Sequence, residues 1–277
     1  MTLIVEVVIM SGAVLVYAIA SMGFVVALMF GKKQARLAGI ASACAGLVLH
    51  AVAILGRWVR VGHGPAVGFY EVASLLGFLT VAFFLPLLWR QRGLWVVGVG
   101  VMPLAFLLLG GAMLAGKEAQ GIEGSLVSYW LGIHVAFANL AYGAYAASFA
   151  LAIAFLLREK GSTRFATVLA KLPDQLVIDG LMFKFVGAGF LFQGIMIVSG
   201  AIWANEAWGR YWAWDPMETW SLIAWMIYAG YLHVRLTLGW SGSRAAWIAV
   251  FSLPVIVFTL LGVPNVYKTI HGAYLQR

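Results

Sequence analysis

The chain has 277 residues, of which 63% are hydrophobic and 10% charged, against roughly 45–50% and about 25% in soluble domains; with a mean hydropathy of +0.96, a soluble domain is excluded. The excess of 18 Lys and Arg over 10 Asp and Glu gives a net charge of +8, which needs no nucleic acid, because cytoplasmic loops of membrane proteins collect basic residues. The one cysteine, Cys44, excludes an intrachain disulfide, a CxxC redox pair and a cysteine zinc site.

Runs of about 20 apolar residues, enough to cross a bilayer, predict eight helices over 5–30, 37–56, 71–89, 94–114, 130–157, 182–203, 219–238 and 245–265. The first has only Glu6 before its apolar body and is too long for a signal peptide, so it reads as a retained membrane helix. The expected fold is an all-α polytopic membrane protein of about eight transmembrane helices, built as a single integral membrane domain over 1–277. Pro86, Pro103, Pro254 and Pro264 fall inside or at the ends of spans, where neighbouring helices absorb a kink. Alternate loops place twelve of the eighteen basic residues on one side, among them Lys32, Lys33, Arg36, Arg90, Arg158, Arg235 and Arg244. Most acids, including Glu6, Glu71, Glu206, Asp215 and Glu218, fall on the other. By the positive-inside rule both termini and the breaks Arg57–Tyr70, Ala115–Tyr129 and Ala204–Glu218 face outward. Phe165–Leu172 on the inner side reads as a short interfacial helix or a plain loop.

The most unusual stretch is the outward break after the sixth span. Trp203, Trp208, Trp212, Trp214 and Trp220 fall within eighteen residues, more than an interfacial belt requires. Asp215-Pro216-Met217-Glu218 reads as a helix start, with Asp215 as N-cap, proline in the first turn and Glu218 closing a capping box. Capping leaves Trp208, Trp212 and Trp214 unexplained. Indoles beside Arg210 suit a flat conjugated ligand with acidic substituents: a porphyrin with propionates, or less specifically a quinone, lipid head groups or the bilayer interface.

Five histidines sharpen this. His134 falls about one turn inside the outer end of the fifth span and His271 in the outward tail, so both can face the tryptophan segment. Two neutral imidazoles are what a low-spin haem iron accepts; a polar interfacial role is the alternative for either alone. His233 and His50 lie inside spans at different depths, so a metal on His233 would draw its second ligand from another chain. His50, like Asn139 and Gln193, reads as a buried interhelical hydrogen bond. His63, in Gly62-His63-Gly64-Pro65, is a weak candidate in a turn. Phosphate-loop, nucleophile-elbow and His-Glu-x-x-His patterns are absent from the sequence.

The run Gly200-Ala-Ile-Trp203-Ala-Asn-Glu-Ala-Trp208-Gly-Arg-Tyr-Trp212-Ala-Trp214-Asp215-Pro216-Met-Glu218-Thr-Trp220, followed by Tyr231-Leu-His233-Val-Arg235, closely resembles the WWD domain of haem-handling proteins of cytochrome c biogenesis. With Ser128-Tyr129-Trp130-Leu-Gly-Ile-His134, Gly62-His63-Gly-Pro65, Tyr70-Glu71 and His271-Gly-Ala-Tyr274, it resembles the CcsA (ResC) family of system II cytochrome c synthases. Met217 stands where that family commonly has lysine, and Gly68 where it has asparagine.

The resemblance implies export of haem b and its covalent attachment to the CxxCH thiols of an apocytochrome c. This would take place on the outer side of a bacterial inner membrane, or of a thylakoid membrane in a plastid, in complex with a CcsB/ResB-type partner. A thioredoxin-like thiol reductant is a further implied partner. Carried onto this chain, it makes His134 and His271 the external axial ligands and His233 the membrane ligand. Trp203, Trp208, Arg210, Trp212, Trp214, Asp215, Glu218 and Trp220 become the haem-holding segment, 203–220. Two alternatives stay open: a CcmC-like haem loader without ligase activity, and a HemX-like membrane regulator. Eight spans, the tail with His271 and the intact aromatics weigh against them.

Overall fold

The computed structural model describes residues 1–64, 68–90, 92–114, 128–161, 166, 170 and 172–270. They are helical, without strands, and form two compact units, Met1–Gly121 and Ile122–Arg277. Among the described residues seven helices are long and apolar enough to cross a membrane, and the chain is an all-α polytopic membrane protein. The remaining expected span, 219–238, is also a helix, Pro216–Leu236, of 21 residues. The segment Phe165–Leu172 lies for the most part outside the described residues, as does all of the tail from His271.

The first unit holds α1 (Leu3–Phe30), α2 (Lys33–Val61), α3 (Gly68–Arg90), a 3₁₀ segment (Arg92–Val97) and α4 (Gly98–Leu114). Helix α1 starts at Thr2, whose hydroxyl accepts from the Val5 amide at 3.4 Å. It buries Met10, Ala13, Tyr17, Ala20, Phe24 and Ala27, a three-to-four-residue stripe laid on α2 and α4. In lipid such contacts rest on close packing through small residues. A Cβ on Gly23 would come 2.8 Å from the Gly39 Cα, so only glycine lets these backbones meet. Gly23→Leu is expected to prise α1 from α2 and cost about 1–3 kcal/mol. Thermal melting in detergent checks this, with Gly110→Ala, where a Cβ meets nothing within 4 Å, as the neutral control.

Polar groups inside this unit are paired. His50 is fully buried; its Nδ1 lies 3.3 Å from the Tyr17 hydroxyl and its Nε2 2.9 Å from Ser74 Oγ, with Phe78 edge-on at 5.6 Å. That is the interhelical hydrogen bonding the sequence leads one to expect. At one end of the unit Glu6, from the first turns of α1, meets α2 and α3. It accepts from Arg57 at 3.0 Å, from Arg60 at 2.5 Å and from the Tyr70 hydroxyl at 3.2 Å. Arg57 also donates to Glu71 at 2.7 Å and stacks 4.7 Å from the Tyr70 ring. The expected break at Arg57 is therefore wrong by a full turn. Helix α2 continues to Val61, because carboxylates from its neighbours neutralise the guanidinium groups that read as a helix end.

The second unit holds α5 (Tyr129–Glu159), α6 (Gln175–Trp208), α7 (Pro216–Leu236), α8 (Ser243–Val257), a π-helical turn (Phe258–Gly262) and the single turn α9 (Val263–Val266). Helix α5 lies along α6 and also meets α8, while α7 contacts both α6 and α8. Gln193 on α6 accepts from the Tyr145 hydroxyl of α5 at 2.8 Å and donates to the Ser221 carbonyl of α7 at 3.0 Å, stitching three helices. Asn139 instead donates to the Val135 carbonyl of its own helix at 2.8 Å, so the interhelical bond expected of it is replaced by a local one. At the other end, Asp179 takes the Arg235 guanidinium and the Gly242 amide, joining α6, α7 and the start of α8. The wide π turn precedes Pro264, whose ring would collide with the carbonyl four residues back in a regular helix. It projects Thr259 toward the site described next.

Candidate functional site

The tryptophan segment is part helix and part loop. Helix α6 runs on to Trp208 before Gly209, at φ 72°, ends it and donates to the Asn205 carbonyl at 2.9 Å. Trp203 is helical, as the expected span to 203 has it, and Trp208 is helical too and not in the outward break where the sequence puts it; the break shrinks to seven residues, 209–215. The polar Asn205 and Glu206 read as loop residues, but a helix continuing past its apolar run tolerates them. Trp203 is buried, packs edge-on against Trp208 at 4.9 Å and lies 6.4 Å from the His134 ring.

The capping box expected at Asp215 and Glu218 is present in full. Asp215 Oδ1 accepts from the Met217 amide at 3.0 Å, and Glu218 Oε2 accepts from the amides of Ala213 and Asp215 at 2.9 and 3.2 Å. The second Asp215 oxygen accepts from the Ile270 amide at 3.0 Å, so this buried carboxylate ties the loop to the segment after α9. Between the caps Trp214 sits at φ 56°, the single non-glycine residue with positive φ among those described. A bulky residue there costs about 1–2 kcal/mol and leaves its indole 70% exposed, 5.8 Å from Trp212 and perpendicular to it. Such strain concentrates at ligand clamps.

His134, half-buried on α5, crosses to α6. Its Nδ1–H donates to the Met196 carbonyl at 2.8 Å, and because a carbonyl only accepts, the bond fixes the proton on Nδ1 and the lone pair on Nε2. That is the tautomer a metal-ligating histidine needs, with the second-shell bond that orients it. Gly200 permits the approach: a Cβ there would come 2.5 Å from Nδ1. Ser128 holds the helices in step, capping α5 through the Trp130 amide at 3.1 Å and donating to Glu206 of α6 at 2.6 Å.

His134 opens on a narrow cleft of about 70 Å³. Its walls come from α5 and α6 (His134, Tyr142, Met196), the loop (Trp212), α7 (Ser221) and the π turn (Thr259). An imidazole with its lone pair on Nε2, beside the Tyr142 and Trp212 rings and the Met196 thioether, is a set of groups that suits a haem.

The remaining candidates disperse. Trp220 packs edge-on against Phe258 at 4.8 Å, and Arg210 is exposed on the loop. His233 is exposed on the last turn of α7, its Nδ1 3.5 Å from the Thr237 hydroxyl. His63 and His50 belong to the first unit, where His63 lies 2.9 Å from the Gly64 carbonyl and 3.7 Å from Glu71. His271 lies outside the described residues. The Met196 carbonyl, Gly200, Ser221 and Thr259 are the site features that residue type alone does not flag.

Comparison with known proteins agrees with this architecture. The family model for the cytochrome C assembly protein matches residues 8–271. The cytochrome c biogenesis protein CcsA of Prochlorococcus marinus (strain MIT 9313) is 35% identical over 266 residues, 84% of this chain and 82% of that protein. The CcsA proteins of Guillardia theta and Chlamydomonas reinhardtii are 33% and 35% identical over 79% of this chain, and 80% and 63% of their own lengths. Among solved structures, the Cytochrome c Heme Lyase CcmF superposes over 98% of this chain with a TM-score of 0.63 at 17% identity. The two share a fold, and the chain spans about half of CcmF, 48% of its length. A match from the first helix to the last described turn, with relatives named for one process, gives the conclusion that this chain belongs to the cytochrome c assembly protein family and serves cytochrome c maturation.

Proposed function

We propose that the chain is the haem-handling subunit of a system II cytochrome c synthase, acting as one integral membrane domain over 1–277. On this reading it takes haem b on the outer side of the bacterial inner membrane, or of a thylakoid membrane, and holds it for an apocytochrome c. His134 and His271 are the external axial ligands, and Trp203, Trp208, Arg210, Trp212, Trp214 and Trp220 frame the ring. Asp215 and Glu218 hold the loop in shape. His233, exposed on α7, serves a membrane haem whose second ligand comes from a CcsB/ResB-type partner, and a thioredoxin-like reductant keeps the substrate cysteines as thiols.

Haem supplies the vinyl groups across which the S–H bonds of the CxxCH thiols add, a reaction that conserves atoms and needs chiefly positioning. The chain's own part is to bind, orient and shield. The single observation that carries the reading is the His134 imidazole, with Nδ1 committed to Met196 and its lone pair on Nε2, in a cleft lined by Tyr142, Met196 and Trp212.

Absorption spectra of the detergent-purified chain, alone and with a CcsB-type partner, test it. Wild type is expected to give a six-coordinate low-spin haem spectrum. His134→Ala is expected to convert it to high-spin and weaken binding at least about tenfold, and Gly200→Ala to do so to a lesser degree by pushing the imidazole off the Met196 carbonyl. Identical spectra in all three would sink the ligand assignment. Haem bound in this way but never transferred to apocytochrome c by the complex would assign the CcmC-like loading role.

A further inference from the structure

Among the described residues, four buried side-chain polar atoms lack a hydrogen-bond partner: Trp212 Nε1, Ser221 Oγ, Tyr228 Oη and Tyr231 Oη. Two of the four belong to residues lining the cleft beside His134. An orphaned buried donor costs about 1–3 kcal/mol, and folded proteins leave few.

Ser221 is conspicuous because a helical hydroxyl has an easy local remedy, the carbonyl four residues back. Ser199, Ser252 and Thr259 of the same unit all use it, at 2.7, 2.7 and 2.8 Å. Ser221 does not, although it is 8% exposed. Its own carbonyl is held by Gln193, which fixes α7 at this point. Trp212 sits on a loop whose main chain is clamped by the capping box and the Ile270 tie, and its indole N–H is buried without a partner. Two other polar side chains of the cleft are already engaged, Glu218 by two amides and Thr259 by the Val255 carbonyl.

The indole N–H is a donor only and the serine hydroxyl can donate as well as accept, so a single acceptor would satisfy both. Building on the haem reading above, we propose that Trp212 Nε1–H and Ser221 Oγ–H form a carboxyl-recognising subsite that takes an oxygen of one propionate of the porphyrin. The pair sets which iron porphyrins the cleft accepts and in which orientation. Arg210, exposed on the same loop, is a rim cation and forms no part of this buried pair.

Titration of the purified full chain with two probes tests this: protohaem, and iron octaethylporphyrin, which has a similar ring and no carboxyl group. Wild type is expected to bind protohaem about tenfold or more tighter. Ser221→Ala is expected to lower protohaem affinity about tenfold while leaving octaethylporphyrin affinity unchanged, and Trp212→Phe, which also trims a wall of the cleft, is expected to lower protohaem affinity about tenfold more than octaethylporphyrin affinity. Because both donors serve one acceptor, the double variant falls short of the product of the single losses. Melting gives a second readout that a purely structural role would not move. Without ligand, Ser221→Ala is expected to melt no lower than wild type, since an unpaired hydroxyl has gone, while the rise in Tm on adding protohaem shrinks.

Equal losses for both porphyrins, or none for either, would overturn the subsite. So would a ligand-free Ser221→Ala chain that melts lower than wild type with an undiminished haem-induced rise. If wild type binds both porphyrins equally and His134→Ala weakens both, the haem site stands and the subsite alone is wrong. If neither porphyrin gives a His134-dependent spectrum, the underlying reading has failed.

Discussion

Arg57→Met is expected to be the most destabilising single substitution in the first unit, lowering stability by about 3–5 kcal/mol. The Arg57 and Glu6 side chains are 7% and 0% exposed, and Glu71 is 1% exposed. The wild-type cluster of Glu6, Glu71, Arg57 and Arg60 is neutral in sum, and each acid has an arginine within 3.0 Å. Methionine has similar length but no charge, so the variant would bury two carboxylates against one cation. The penalty is mostly that of the stranded acid, and a second change should therefore relieve it: Arg57→Met with Glu71→Gln is expected to recover about half of the loss. Arg60→Met, on a side chain 20% exposed, is expected to cost only about 1 kcal/mol, because water can still reach that edge. Thermal melting of wild type and the three variants in one detergent checks the order. An Arg57→Met chain as stable as Arg60→Met would show that the cluster is not held as a closed unit.

That cluster also marks where the sequence stops being legible. The apolar runs were enough to place the membrane helices, since crossing lipid leaves the backbone no alternative to a helix. Their ends were not, because a charged residue looks the same whether it faces water or a buried partner fifty residues away. Arg57 and Arg60 read as a loop and are helical. Asn205 and Glu206 read as a loop and are in the last turn of α6, which puts Trp208 on the helix with Trp203.

Within the site, local chemistry was readable and long-range chemistry was not. Asp215-Pro216-Met217-Glu218 announced its capping box because the pattern is contained in four residues. The partner of His134 is a main-chain carbonyl on another helix, 62 residues on, and a carbonyl has no letter in the sequence. Ser221 reads as an ordinary helical serine until its neighbours show that the usual back-bond is missing. The left-handed backbone of Trp214 is likewise invisible, since a tryptophan is the last residue one would place there.

The second large effect is expected at Asp215, where the resemblance to haem-handling proteins suggests a direct role and the geometry adds a structural one. Both carboxylate oxygens accept main-chain amides, from Met217 and Ile270, which gives the side chain the work of holding the loop. Asp215→Ala removes an N-cap, about 1–2 kcal/mol, and leaves the Ile270 amide without this acceptor, about 1–3 kcal/mol more. Haem affinity should fall steeply with it, because Trp212, Trp214 and the segment leading to His271 all depend on that one side chain. Asp215→Asn separates the two roles. Its remaining oxygen can still cap Met217, while its amide group turns a donor toward the Ile270 N–H, so the cap survives and the tie is lost. Asn is expected to keep most of the melting temperature and to bind haem at an intermediate level. If Asn instead abolishes binding as fully as Ala while the protein melts like wild type, the negative charge itself is what the haem site requires.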